Sequence, residues 1–272
     1  MTATALTRGA PGAPLPKLTP ARVARSEWIK LRSVRSTVWA LAASAVVIAG
    51  TGLLLTTLTR GHLAASGHQQ SHVDPVRISL FGMYLAQLTV GVLGVLLATG
   101  EYATGMIRAT LSAAPRRLAV LGAKLGVYAV VALVTCEAAL FVTFVAGQAI
   151  LGHAGVSLAA PGALRAVAGT GLYLTLVGLL GIALGFVIRN TAGAAAVMVA
   201  VILVVPEVLG GALPADWAGR ILPYLPSNAG QAIMNVVPTP DSMAPWPGLA
   251  LFAGYTALAV AAAALLLKRR DA

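Results

Sequence analysis

The sequence predicts an all-α integral membrane protein with six transmembrane helices, and three observations carry the prediction. Of 272 residues, 58% are hydrophobic and only 10% are charged. The mean hydropathy of +0.86 lies outside the soluble range. The apolar residues gather into long runs, and the basic residues sit at the ends of those runs. About 20 residues rising 1.5 Å each cross a hydrocarbon layer of roughly 30 Å, and a helix satisfies its own backbone there.

Residues 1–20 carry four prolines with Gly9 and Gly12, and lack an apolar core of signal-peptide length. They read as a disordered cytoplasmic tail, with residues 21–272 as one membrane domain. Thr19-Pro20 reads as an N-cap with proline in the first turn, opening a basic helix to about Val38. Ala24, Trp28, Leu31, Val34 and Val38 fall on one side of it, with Arg22, Arg25, Lys30 and Arg32 on the other. That pattern predicts an N-terminal interfacial helix lying on the bilayer, although Glu27 and Arg35 intrude on the apolar stripe. The other reading is a basic flank that orients the first span.

Apolar runs follow at 38–58, 79–99, 125–149, 166–188, 192–213 and 248–267. Only Glu137 and Glu207 bring charge into them. With six crossings and both termini inside, 15 arginines and lysines lie on the inner side and four outside. That bias sets a multi-pass chain in the plasma membrane with cytoplasmic amino and carboxyl termini. The loop at 214–247 is proline-rich, yet carries Trp217, Ile221, Leu222, Tyr224, Leu225, Ile233 and Met234. It is expected to be partly helical and to dip into the outer interface, with Trp217, Tyr224 and Trp246 as headgroup anchors.

The net charge of +11 does not signal nucleic acid, because the basic residues flank apolar runs without interleaved aromatic residues. Cys136 is the single cysteine, sits inside an apolar run and excludes an intrachain disulfide. The excess of arginine over lysine and the abundant alanine fit a GC-rich bacterial genome.

The loop after the second run reads Glu101-Tyr-Ala-Thr-Gly105-Met-Ile-Arg108-Ala-Thr-Leu111-Ser-Ala-Ala-Pro115-Arg116-Arg117, followed by Lys124. Gly105 and Pro115 bracket a short helix in this reading. The loop resembles the signature loop of the type-2 ABC transporter permeases. Glu27-Trp28-Ile29-Lys30-Leu31-Arg32-Ser33 resembles that family's segment before span one. The turn Leu184-Gly185 through Arg189-Asn190-Thr191-Ala192-Gly193 resembles its link between spans four and five. The likeness runs from Arg22 to Arg270.

The resemblance implies the permease subunit of an ATP-driven ABC exporter, in which two six-helix units pair as two copies or as paralogues. It also implies that a cytosolic ABC ATPase subunit docks on a short cytoplasmic coupling helix between spans two and three. That helix would use Glu101, Gly105, Arg108, Leu111, Pro115, Arg116 and Arg117. ATP and Mg would belong to the partner subunit, because this chain carries no G-x-x-x-x-G-K-[ST] loop. The plainer reading of the same loop is a basic segment that fixes topology.

Glu137, near the middle of span three, costs about 2.5 kcal/mol or more to insert as a charge and should face the bundle interior. It is either a substrate or proton contact, a neutral interhelical hydrogen-bonding group, or half of an ion pair. Glu207 follows Pro206 near an outer end and reads as a solvated group at a kink. Gly178, Gly181 and Gly185 let two helices approach closely. His62, His68 and His72 lack a completing carboxylate set or thiol, so no metal site is expected. No catalytic constellation stands out. The rival functions are a proton-coupled secondary transporter using Glu137, and a non-transporting membrane scaffold or immunity protein.

Overall fold

The structure is a computed structural model that describes residues 19–65, 74–106, 117–237 and 242–269. Every regular element among them is helical. Of the expected tail, only Thr19 and Pro20 fall within the described residues.

Helix α1 spans Pro20–Ser33, and proline in its first turn has the φ that a helix start needs. It stops because Val34 is extended, so the basic helix ends earlier than expected and the first span starts at once as α2, Arg35–Ala65. A one-turn helix α3, Pro75–Ser79, is capped by Asp74, whose side chain accepts from the backbone N–H groups of Val76 and Arg77. The spans continue with α4, Met83–Ala103, α5, Arg117–Leu151, and α6, Ala163–Ile188. Arg189 then adopts a left-handed φ of 57°, and Asn190 caps α7, Thr191–Val199, by accepting from the Gly193 N–H at 2.8 Å. A π-helical turn at Ala200–Val204 joins α7 to α8, Val205–Ala212, so the fifth span is interrupted just before Pro206. The last span is α11, Pro245–Arg269.

Six of these stretches are long and apolar enough to cross a membrane. Several helices run past the apolar runs of the sequence, as α5 does at both ends, because hydrogen bonding continues beyond the hydrocarbon-compatible residues.

Helix α6 is the centre of the bundle. Most of its residues are buried, and it packs on α4, α5 and α11. The outward faces of the surrounding helices stay apolar, as Val46, Val142 and Leu258 show at 69%, 65% and 71% exposure. Such a surface suits lipid and not water. Helices α4 and α6 approach each other closely. A Cβ added at Gly94 would overlap the carbonyl oxygen of Gly178, and one at Gly181 would overlap that of Gly91. Small residues let these two backbones touch, the usual basis of helix association in lipid.

Between the fifth and sixth spans lie α9, Ala215–Ile221, and α10, Pro226–Gln231, each followed by a short 3₁₀ turn. Part of their apolar content packs into the protein, where the sequence led us to expect a segment dipping into the outer interface. Ala229, Ile233 and Met234 are buried in the protein, and Ile233 packs where a Cβ of Gly169 would sit. Trp217, Tyr224 and Trp246 remain exposed. Buried Ile233 and Met234 join the common core because α6 and α11 leave room for them there.

Candidate functional site

Four ionisable side chains from three helices meet at the end of the bundle that holds α1 and the 101–117 loop. Glu27 and Lys30, three residues apart on α1, share a helix face and are joined at 2.7 Å. Glu101 lies in the last turn of α4, and Lys124 lies two turns into α5. Lys124 Nζ donates to Glu27 Oε2 at 2.8 Å and to Glu101 Oε1 at 2.9 Å, and Lys30 Nζ reaches Glu101 Oε1 at 3.2 Å. Two carboxylates and two ammonium groups thus balance in formal charge.

Burial makes that balance necessary. The side chains of Glu27, Glu101 and Lys124 are 4%, 5% and 8% exposed, while that of Lys30 is 32% exposed. An uncompensated charge at such depth is costly, whereas short, charge-assisted hydrogen bonds repay part of the desolvation. Burial pushes the Glu27 carboxyl up, but the ammonium groups of Lys124 and Lys30 outweigh it and hold it below its ordinary value of 4.5. Burial likewise pulls Lys30 down, and Glu27 and Glu101 outweigh that, leaving it above its ordinary 10.5.

The cluster closes one end of a cavity of about 490 Å³ between α1, α2, α4 and α5. Its walls are mainly apolar, with Leu93, Leu97 and Tyr128 among them.

Glu101 stands where the chain leaves the membrane-spanning helix. Thr104 ends α4, and Gly105 takes a φ of +68°, a left-handed turn that favours glycine. At the return, Arg117 opens α5 and donates to the Leu267 carbonyl of α11 at 3.1 Å. Both roots of the loop are therefore tied to the bundle. Arg108, Leu111, Pro115 and Arg116 lie outside the described residues.

The profile of the ABC-2 family of transporter proteins matches residues 24–207, well over half of the chain and all four members of the charged cluster. The chain belongs to the ABC-2 transporter family. No curated protein sequence matches it significantly.

As an ABC-2 protein it is a multi-pass membrane transport component. Its α1 differs from the amphipathic stripe read in the sequence. Lys30, placed there on the polar side, turns into the cluster, and Glu27, an apparent intruder, is the most buried charged residue of the helix. Trp28 and Arg32 are exposed and Leu31 is half-buried. The face that α1 gives to α5 therefore carries Val23 and Glu27, and the Trp28 stripe lies to its side. The ion pair of Glu27 with Lys124 lies on that face, a contact that a hydrophobicity pattern does not contain.

The other sequence candidates are dispersed in this ABC-2 chain. Glu137 packs on α6, where a Cβ at Gly171 would overlap its carboxylate. Its Oε2 is buried and lacks a hydrogen-bond partner among the described residues. Glu207 is exposed beyond the π-helical turn. Gly181 lies in the α4–α6 contact, Gly178 faces both Gly94 and the Tyr128 side chain, and Gly185 faces Ala98. His62 is exposed, while His68 and His72 fall outside the described residues. No group of three metal-ligating side chains occurs among the described residues.

Sequence reading named all four cluster residues but did not bring α1, Glu101 and Lys124 together. The available signal was one acid and one base on α1, with one acid and one base at the α1-side ends of two apolar runs. A polar network missed altogether joins Gln87, Tyr173 and Gln231 near the other end, where Tyr173 Oη donates to Gln87 Oε1 at 2.7 Å.

Proposed function

We propose that this ABC-2 protein is the permease subunit of an ATP-driven exporter, working as a pair of six-span units with a separate cytosolic ABC ATPase. The observation that carries the reading is the charged cluster at the root of the 101–117 loop. A partner pushing on that loop meets Glu101 and Gly105 at its start and Arg117 at its end. Through Lys124 and Glu27 the same push reaches α1, α4 and α5 together. The sequence count of 15 basic residues against four on alternate sides of the six runs supports a cytoplasmic loop and cytoplasmic termini, where an ATPase would dock. Residues 21–272 then form the permease domain, and α1 lies along the inner membrane surface.

The test is a set of loop variants. Gly105→Pro or Arg108→Glu leaves the apolar spans intact, so membrane level stays near normal while export falls and partner ATP hydrolysis stops responding to assembly. Arg269→Glu changes charge at the same side without altering a residue of the loop, and export persists. Equal export by all three variants, with unchanged partner ATPase activity, overturns the coupling role.

The unpartnered Glu137 Oε2 is the one observation that favours a proton-coupled carrier. Glu137→Gln keeps polarity and removes titration. Transport by this variant fits the permease reading, and its loss at normal protein level and normal ATPase association favours the carrier.

A further inference from the structure

The charged cluster leaves one atom unsatisfied. Both oxygens of Glu27 are paired and Oε1 of Glu101 takes two ammonium groups, but Glu101 Oε2 is buried with no hydrogen-bond partner among the described residues. A buried carboxylate oxygen without a donor is a strong local demand for one. Glu101 also lines the 490 Å³ cavity. Glu27, Lys30 and Lys124 of the cluster line it beside Glu101, with a few hydroxyl groups, and the rest of its wall is mainly apolar, Leu93, Leu97 and Tyr128 among it. Its size falls within the range of about 300–1,000 Å³ typical of ligand sites. Val34, Leu96 and Met106, also in the lining, are exposed apolar residues, so the cavity opens at the surface of the chain.

We propose that this cavity is a binding site for a phospholipid with a primary-ammonium headgroup, taken from the membrane leaflet on the α1 side. The headgroup N–H donates to Glu101 Oε2, and an acyl chain covers the apolar walls. Charge selects the headgroup. The four side chains sum to zero formal charge, so a free cation would leave the cluster with a net charge in a buried setting. A zwitterion of the phosphoethanolamine type brings the donor without adding net charge. A quaternary choline headgroup has the same net charge and no N–H, and therefore leaves Oε2 unsatisfied. The site stands apart from the coupling reading, since it needs neither an ATPase nor a second copy of the chain.

The experiment is native mass spectrometry of the purified full chain, titrated with phosphatidylethanolamine and its N-methyl, N,N-dimethyl and choline counterparts of identical acyl chains. Retention should drop between the dimethyl lipid, which still has one N–H, and the choline lipid, which has none, by about tenfold, as expected for one hydrogen bond to a charged group. Glu101→Gln should flatten the series, and Leu97→Trp, which fills the cavity, should lower retention of all four lipids. Equal retention of the dimethyl and choline lipids by the unmodified chain overturns the proposal without any variant having to fold. A second copy of the chain occupying the cavity overturns it too, and shows as a dimer whose mass carries no lipid.

Discussion

At the end of the bundle beside the 101–117 loop, Glu27, Lys30, Glu101 and Lys124 are held as ions, whereas near the other end Gln87, Tyr173 and Gln231 are held as neutral dipoles. Glu101 and Gln87 lie on the same helix, 14 residues and so about 21 Å apart at 1.5 Å per residue. Each network joins elements far apart in the chain: α1, α4 and α5 in the first, and α4, α6 and α10 in the second. The difference lies in what happens when one member is lost. A neutral network that loses a partner leaves a single unmade hydrogen bond, while an ionic one leaves a net charge in a low-dielectric setting. The ionic end is therefore an all-or-nothing joint, suited to keeping three helices together under load, and the neutral end can be trimmed piece by piece.

The sharpest way to break the comparison is Lys124→Met. It leaves Glu27 and Glu101 sharing only the partly exposed Lys30, one charge uncompensated, and should destabilise the purified protein by about 3–5 kcal/mol, read as unfolding in a denaturing detergent. The double variant Lys124→Met with Glu101→Leu should recover much of that loss, because one carboxylate then faces the remaining Lys30. If the single variant unfolds like the unmodified chain, the ionic end is not a joint.

The ends should also respond differently to pH. Glu27 lies below its ordinary value, so its contribution is present above pH 4.5 and is lost as pH falls through its lowered value. Lys30 lies above its ordinary value, so its contribution is complete below pH 10.5 and is lost as pH rises through its raised value. Between those limits the two contributions are flat. Thermal melts of the unmodified chain minus those of Glu27→Gln should show an acid-side slope that the difference against Tyr173→Phe lacks.

Midway between the ends, Gly181→Ala should push α4 and α6 apart, since the added methyl meets the backbone carbonyl of Gly91, which has no rotamer to move into. A loss of about 1–3 kcal/mol is expected from such overpacking. Gly122→Ala, at a site with open space around it, should change little and serves as the control. The smallest effect belongs to the neutral end. Tyr173→Phe removes the donor to Gln87 but leaves Gln231 Nε2 donating to the same oxygen at 3.2 Å, so a loss of about 1 kcal/mol is expected. A loss as large as that of Lys124→Met would erase the distinction between the two ends.

Legibility in the sequence follows the range of the forces involved. The six membrane-spanning helices were readable because each is set by its own run of apolar residues and by backbone hydrogen bonds within that run. The start of α1 at Pro20 was local as well, fixed by proline geometry. The direction that Glu27 and Lys30 face was not readable. Their partners sit 71 to 97 residues away, beyond the reach of any local pattern. Ile233 and Met234 were likewise read as interfacial, and only the space left beside Gly169 drew Ile233 inward. The sequence by itself therefore determined a six-span apolar chain with its basic residues biased to one end. Tertiary structure alone decided that four of its charges share one buried site, because pairing energy depends on distance in space and a linear pattern records only distance along the chain.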